Sequence, residues 1–144
     1  MAKKRDEIMQ CMIHKLNELK SYKFVVIISR FKGKWLLSRH KGRNSWETQG
    51  GHIEKEEAPL DAAKRELFEE SGAIEFSIKP VFDYWAGDEI SGANGMVFFA
   101  DIVKLGNMPE SEMEEVNSFD KLPKDLTYPD ITPKLFEHIE NMGK

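Results

Sequence analysis

Three glutamates near the middle of the chain have a spacing that would place their carboxylates on one face of a helix. Glu66, Glu69 and Glu70 stand at i, i+3 and i+4 in a run of mostly good helix formers. Neighbouring like charges destabilise a helix by roughly a few tenths of a kcal/mol per pair. Clustered carboxylate oxygens are, however, the ligands that Mg²⁺ and Mn²⁺ prefer. The spacing therefore indicates either a solvated acidic helix or a site for a divalent cation.

The residues around these glutamates predict where the helix begins and ends. Pro59 suits the first helical turn, where its missing N–H is not needed. Gly72 suits the left-handed residue that closes a helix. We therefore predict a helix over residues 59–71, entered through the glycine pair at 50–51. Arg65 lies beside the acidic face, where its guanidinium can hold one carboxylate by a bidentate pair.

The whole segment resembles the Nudix box, Gly-x5-Glu-x7-Arg-Glu-apolar-x-Glu-Glu-x-Gly-apolar. The pattern starts at Gly51 and ends at Ala73, and every fixed position is met. With each residue near its average usage, a chance match at one starting point is on the order of one in 10⁸. Two departures are mild: Ala73 is smaller than the usual aliphatic residue, and Gln49 stands where a proline often precedes the glycine pair. The resemblance identifies the chain as a member of the Nudix family.

The resemblance implies an α/β fold, the α/β/α sandwich in which a mixed β-sheet lies between helices. It also implies hydrolysis of a nucleoside diphosphate linked to another group, with water attacking phosphorus and Mg²⁺ or Mn²⁺ as cofactor. The metal ligands that it implies are Glu66, Glu69, Glu70 and the carbonyl oxygen of Gly50. By the same resemblance, Glu57 is an outer ligand or an orienting carboxylate, and Arg65 positions a glutamate.

The resemblance implies one further carboxylate outside the box. Members of the family often carry it just before a later strand, where this chain has an acidic stretch. We expect Glu115 to be this ligand, with Glu114 as the second choice. Glu110 and Glu112 are interpreted as solvated surface residues. The base that takes the proton from water is expected to be Glu66, with Glu115 as the alternative.

Basic and aromatic residues near the box are candidates for binding the substrate. Arg39, Lys41 and Arg43 belong to a polar loop that leads into the box, and either contact phosphate or base, or form plain surface. Trp46 and Tyr84 are large enough to stack on a base, although such residues more often pack in a core. We expect these five residues to contribute substrate contacts.

The opening FVVII…GKWLLSRH…WE-x-x-GGHIE is similar to the branch of the family that hydrolyses nucleoside triphosphates. The expected products are a monophosphate and pyrophosphate, and 8-oxo-dGTP belongs to this substrate class. Alternatives within the family are hydrolysis of ADP-ribose, of a dinucleotide or of an RNA 5′ end. A non-catalytic nucleotide sensor is a further alternative, although such a module would be expected to lack box carboxylates that this chain keeps.

The flanking sequence predicts the elements that position the box. Asp6–Lys20 has methionines and leucines at helical spacing, so an amphipathic helix is predicted within residues 1–22, packing on the core or, less often, against a second copy in a homodimer. The predicted strands include Phe24–Ser29, Trp35–Ser38 and Met96–Val103, with a loop at residues 88–95 and a last helix from Thr132. The domain prediction is one Nudix hydrolase domain over residues 1–144, with its core at 23–144 and the box at 51–73.

Composition excludes several classes of protein. A length of 144 residues predicts one domain, and the net charge of −4 argues against a surface for duplex nucleic acid. Cys11 is the only cysteine, which fits a reducing cytoplasm, so a cytoplasmic protein is expected. No run approaches the roughly 18–20 apolar residues of a membrane span. The expected partner is therefore a small nucleotide, not a membrane.

Overall fold

The computed structural model describes residues 9–143 and contains a mixed β-sheet with one α-helix packed on each face. The strands are β1 (Gln10–His14), β2 (Tyr22–Phe31), β3 (Lys34–His40), β4 (Trp46–Glu47), β5 (Gln49–His52), β6 (Ala73–Gly87), β7 (Gly92–Leu105) and β8 (Met113–Phe119). The helices are α1 (Pro59–Ser71) and α2 (Thr132–Met142). The predicted α/β/α sandwich is confirmed.

The central strand β2 brings the glycine pair next to the box helix. It pairs in parallel with β7 and antiparallel with β3 and β5. The full strand order is β1-β6-β7-β2-β3-β4, with β5 also paired to β2 and β8 to β3. In the β2–β5 pairing Val26 lies opposite Gly50 and Val25 opposite Gly51. Because a short loop then leads from β5 into α1, the glycine pair and the helix are held face to face.

Helix α1 begins and ends where the sequence predicts. Pro59 is its first residue, and Gly72 closes it with φ of 81° and an N–H that donates to the Phe68 carbonyl at 2.8 Å. The residues that α1 buries against the sheet are Ala62, Ala63, Leu67 and Ser71. The helix signals are local, so the sequence was sufficient to place both ends.

The prediction of a helix over Asp6–Lys20 is wrong for residues 9–20, while residues 6–8 lie outside the described chain. Residues 10–14 form β1, which pairs with Asp83–Gly87 on the outer edge of β6. The positive φ values of Asn17 (67°) and Ser21 (55°) then turn the chain away from helical geometry. Pairing with the backbone N–H and C=O groups along the β6 edge favours an extended conformation here, although the methionines and leucines have helical spacing. A helical dimer contact in this segment therefore loses its basis.

Strands β6 and β7 form a longer hairpin than predicted. The predicted loop over residues 88–95 shrinks to residues 88–91, since β7 starts at Gly92. β6 runs through Pro80 with a register shift between Pro80 and Phe82. Proline is tolerated there because β1 covers only Asp83–Gly87 of that edge, so Pro80 interrupts no outer pairing.

The two faces of the sheet carry separate hydrophobic clusters. The cluster under α1 contains Val25, Ile27 and Leu67, and the cluster under α2 contains Ile28, Leu37 and Phe136. Alternate residues of β2 thus contribute to opposite faces, as the pleat of a strand requires. Neither helix of residues 9–143 is long and apolar enough to cross a membrane.

Candidate functional site

The site is built where the glycine pair of β5 meets the acidic face of α1. A Cβ atom on Gly51 would overlap the Glu66 carboxylate, and one on Gly50 would overlap the Val25 carbonyl oxygen. These glycines are therefore required by close approach. The backbone of β5 and the carboxylates of α1 lie in direct contact.

Arg65 organises the carboxylates on the open side of the helix. Its Nε and Nη2 donate to the two oxygens of Glu57 at 2.8 and 2.9 Å, which is a bidentate pair. Its Nη1 donates to Glu66 Oε1 at 3.1 Å and to Glu69 Oε1 at 3.0 Å. The hydrogen bonds from Arg65 and from the Glu54 backbone lower the pKa of Glu57 to about 2. One guanidinium thus contacts three of the predicted site glutamates.

Glu70 is the most enclosed of the box glutamates. Its Oε1 accepts a hydrogen bond of 2.8 Å from the Gly50 N–H. Burial is the main cause that raises the pKa of Glu70 to about 8, and the charges of Glu66, Glu47 and Glu112 act in the same direction. The hydrogen bond from Gly50 acts in the opposite direction and lowers the pKa. A carboxylate in this environment is charged only at a cost in free energy.

Glu66 accepts a hydrogen bond from Arg65 and is close enough to Glu70 for its charge to raise the pKa of Glu70. Burial raises the pKa of Glu66 to about 7; the charges of Glu69 and Glu57 also raise it, while Arg65 lowers it. Arg65 therefore compensates only part of the charge on this side of the helix. Glu66 and Glu70, the two carboxyl groups whose charged forms are least favoured, lie beside the glycine pair.

Glu47 joins this acidic group, and the sequence analysis missed it. In the β3–β4 pairing Glu47 lies opposite Ser38, whose hydroxyl donates to the Glu70 carbonyl oxygen at 2.8 Å. Glu47 therefore faces α1, where its side chain is only 12% exposed. Its neighbour Trp46 faces the opposite side and packs on Phe119. Because neighbouring side chains of a strand point to opposite faces, the alternation of Trp46 and Glu47 was the sequence signal that could have placed Glu47 on the α1 face.

The structure does not bring Glu115 to the box glutamates, which corrects the expectation from sequence. Glu115 lies opposite Arg39 in the β3–β8 pairing and accepts from Arg39 Nη2 at 2.8 Å. The adjacent pair, Ser38 with Val116, faces α1, so Glu115 falls on the other face. Glu112 is 81% exposed, as the sequence indicated, and its charge makes only a small contribution to the raised pKa of Glu70.

The three predicted basic residues are paired with acids. Lys41 and Arg43 lie at the rim of the site, whereas Arg39 lies on the face of the sheet away from α1. Lys41 Nζ donates to Glu110 Oε1 at 3.0 Å, and Arg43 Nη1 lies 3.5 Å from Glu47 Oε2. Lys41 and Arg43 are 48% and 46% exposed, so these pairs are weak and can exchange. Arg39 is more enclosed and also donates to the Arg43 carbonyl at 2.9 Å.

The two predicted aromatic contacts have different outcomes. Trp46 is half-buried, with its ring centroid 5.0 Å from that of Phe119. Tyr84 is 3% exposed and packs on Phe24 in the cluster under α2. Burial raises the pKa of Tyr84. Tyr84 therefore has no free ring face for a base, and the prediction that it contacts substrate is wrong because the core takes its ring.

The donor set fits a divalent cation, although its oxygens are not gathered into a ready cage. No group of three His, Cys, Asp or Glu side chains in residues 9–143 is arranged to hold a metal ion. Arg65 Nη1 donates to Oε1 of Glu66 and to Oε1 of Glu69, so one oxygen of each carboxylate is already hydrogen-bonded. Burial, more than any neighbouring charge, raises the pKa of Glu66 and of Glu70, so a nearby cation would favour their charged forms. Carboxylates in such a setting are suited to Mg²⁺ or Mn²⁺.

Comparison with known proteins gives a consistent result. A family model described as "NUDIX domain" matches residues 19–137. The Bacillus subtilis (strain 168) protein named "Putative 8-oxo-dGTP diphosphatase YtkD" is 37% identical over 108 residues, which are 74% of this chain and 68% of that protein.

Solved structures share the fold. The crystal structure of a mutant of the Bacillus subtilis pyrophosphohydrolase BsRppH has a TM-score of 0.79 and 28% identity, covering 94% of this chain and 91% of that one. The NUDIX domain of Shewanella oneidensis NrtR, solved with ADP ribose, has a TM-score of 0.68 and 14% identity, covering 88% and 91%. At that identity the second likeness concerns the fold alone.

Proposed function

The chain belongs to the Nudix hydrolase family, whose members act on phosphorus-containing anhydrides, and we propose that its substrate is a nucleoside triphosphate such as 8-oxo-dGTP. The proposed products are the nucleoside monophosphate and pyrophosphate. The observation that carries the proposal is that the box carboxylates Glu66 and Glu70 lie directly against the backbone of the glycine pair. The 37% identity to YtkD supports the substrate class.

Nudix hydrolases generally use divalent cations such as Mg²⁺ or Mn²⁺. A bound cation neutralises charge on the phosphate oxygens and lowers the pKa of a bound water. In this chain Glu66, Glu69 and Glu70 are the proposed ligands, with the Gly50 carbonyl as a further oxygen. Arg65 is the proposed positioning residue, because one of its nitrogens donates to both Glu66 and Glu69 and so holds the two side chains together.

Glu66 is the proposed acceptor of the proton from the attacking water. In the protein without a bound cation, burial raises the pKa of Glu66, which is the direction that favours accepting a proton. Glu57 is a poor candidate for this step because Arg65 lowers its pKa to about 2. Glu57 therefore serves as the partner that orients Arg65.

Lys41 and Arg43 are the proposed phosphate contacts. Both lie at the solvent-exposed rim, and each pairs with a single acid that a phosphate can replace. Arg39 is a weaker candidate, because Glu115 accepts from both its Nε and its Nη2. Trp46 is likewise a weaker candidate for contact with the base, because its ring faces away from α1 and packs on Phe119.

A second candidate function is removal of pyrophosphate from an RNA 5′ end. It is favoured by the likeness to a pyrophosphohydrolase over 94% of the chain. The exposure of Lys41 and Arg43 would also leave room for a polynucleotide beyond the first nucleotide. The net charge of −4 argues for the smaller substrate.

The test is pyrophosphate and phosphate release from a panel of substrates with Mg²⁺, with Mn²⁺ and with EDTA. The panel contains canonical and 8-oxo nucleoside triphosphates, ADP-ribose, a dinucleoside polyphosphate and a 5′-triphosphorylated RNA oligonucleotide. We expect metal-dependent pyrophosphate release, fastest from a nucleoside triphosphate. The matched control is Glu137→Gln, which removes an exposed carboxylate on α2, across the sheet from α1, and should leave turnover unchanged. Faster release from RNA would favour the second candidate, and no release from any substrate would favour a nucleotide sensor.

A further inference from the structure

Gln49 is a polar side chain placed where the interior of the sheet would be expected to be apolar. It is the first residue of β5, directly before the glycine pair, and it is 0% exposed. A buried carboxamide costs free energy unless its donors and acceptor are satisfied. Proline, which often occupies this position in the family, would supply neither a side-chain amide nor a backbone N–H. The sequence thus departs from the common pattern at a structurally demanding position.

The carboxamide of Gln49 has all its hydrogen-bonding groups paired. Its Nε2 donates to the Leu36 carbonyl at 3.2 Å and to Ser38 Oγ at 2.9 Å. Its Oε1 accepts from Ser29 Oγ at 2.6 Å. Because the Leu36 carbonyl can only accept, the nitrogen of the amide must face it, which fixes the orientation of the carboxamide. Gln49 therefore links β2, β3 and β5 in one closed network.

This network ends on the box helix. Ser38, which accepts from Gln49, donates its own proton to the Glu70 carbonyl oxygen at 2.8 Å. The residue after Gln49 is Gly50, whose N–H donates to Glu70 Oε1 at 2.8 Å. Glu70 is thus held at its backbone through the Gln49 side chain and at its carboxylate through the next backbone amide.

We propose that Gln49 is a positioning residue that aligns the Glu70 carboxylate for cation binding. Through Ser38 it sets the position of the C-terminal turn of α1 on the sheet, and this turn carries Glu70. The proposal rests on the proposed function, in which Glu70 is a metal ligand. A purely structural Gln49 would contribute to folding stability alone, whereas a positioning Gln49 also affects the affinity for the cation.

The test is Mn²⁺ binding to the full chain without nucleotide, measured from the free Mn²⁺ signal by electron paramagnetic resonance. Gln49→Met and Ser38→Ala should each weaken binding by about 10-fold, the lower range for residues that support metal ligands. The matched control is Thr132→Val, which removes a buried hydroxyl at the start of α2, across the sheet from α1 and outside this network. It should change the affinity by less than about 2-fold at a similar loss of thermal stability.

A double-mutant cycle separates positioning from packing. In a Glu70→Gln background, Ser38→Ala should cause no further loss of Mn²⁺ affinity, because the residue on which it acts is already changed. Wild-type affinity in both Ser38→Ala and Gln49→Met would overturn the inference while leaving the proposed function intact. Absence of Mn²⁺ binding by the wild-type chain would instead overturn the proposed function. If Gln49→Met fails to fold, Ser38→Ala alone decides, since it removes only one hydroxyl group.

Discussion

Replacing Glu70 by glutamine should stabilise the metal-free protein at pH 8 and remove its response to Mg²⁺. The glutamine keeps an oxygen that can accept the Gly50 N–H, so the 2.8 Å hydrogen bond can be retained. The substitution removes a buried negative charge that stands beside other carboxylates. We therefore expect the charge of Glu70 to be required for the response to Mg²⁺ and to lower the stability of the metal-free protein.

The expected size of the gain comes from the pKa of Glu70, which burial and the charges of Glu66, Glu47 and Glu112 raise from 4.5 to about 8. Since the folded protein holds this proton more tightly than the unfolded chain, the contribution of Glu70 to wild-type stability is greatest below about pH 4.5 and is lost as the pH rises to about 8. At about 1.4 kcal/mol per pKa unit the full shift amounts to at most about 5 kcal/mol. Because neighbouring carboxylates titrate together with Glu70, we expect glutamine to gain about 2–4 kcal/mol at pH 8 and almost nothing at pH 4.5.

The assay is urea denaturation followed by tryptophan fluorescence at several pH values between 4.5 and 8.5, in EDTA and then in excess Mg²⁺. Mg²⁺ should raise the unfolding free energy of the wild type, since a ligand that binds only the folded state stabilises it. The matched control is Glu69→Gln, because Glu69 is 41% exposed and paired with Arg65. Its removal should give no gain in stability at any pH.

Two results would refute this reasoning. If Glu70→Gln is no more stable than wild type at pH 8 in EDTA, then burial and the neighbouring charges do not make the charged Glu70 carboxylate destabilising. A gain of the same size at pH 4.5 and pH 8 would mean that packing, and not charge, explains the effect.

Three further predictions concern the box. Glu69→Gln should keep the fold and remove most metal-dependent turnover, measured as pyrophosphate release; wild-type turnover would contradict its assignment as a ligand. Gly51→Ala should lower turnover and cost about 1–3 kcal/mol of stability, because its Cβ would overlap the Glu66 carboxylate; an unchanged urea midpoint would show that the carboxylate moves freely. Arg65→Lys should lower the free energy of unfolding at pH 7, because the low pKa of Glu57 depends on the bidentate pair with Arg65. The stabilisation from this pair disappears as the pH falls from about 4.5 to about 2, so the variant should lose less stability on acidification than wild type does. Identical pH profiles of the two proteins would contradict the role of that pair.

The chemistry of the box could be predicted from sequence because its signals are local. Pro59 and Gly72 mark the two ends of α1 by backbone preferences that no other part of the chain has to supply. The i, i+3, i+4 spacing of the glutamates places them on one face of any helix. The family match over residues 19–137 confirms the assignment drawn from these residues.

The N-terminal segment could not be predicted in the same way. Its methionines and leucines satisfy a helical period, yet residues 10–14 pair with the edge of β6, more than sixty residues further along the chain. Only the folded sheet presents that edge. The same limit applies to Tyr84, whose burial against Phe24 depends on strands from distant parts of the sequence.

The sequence by itself determined the family, the helix and the carboxylates of the box. The tertiary structure decided that Glu47 faces α1 with Glu70, that Glu115 does not, and that Gln49 links the glycine strand to the helix. The physical reason is that a side chain on a pleated strand falls on one face or the other according to the register of its pairing. That register is set by contacts between distant segments, here including the shift between Arg39 and His40 in the β3–β8 pair.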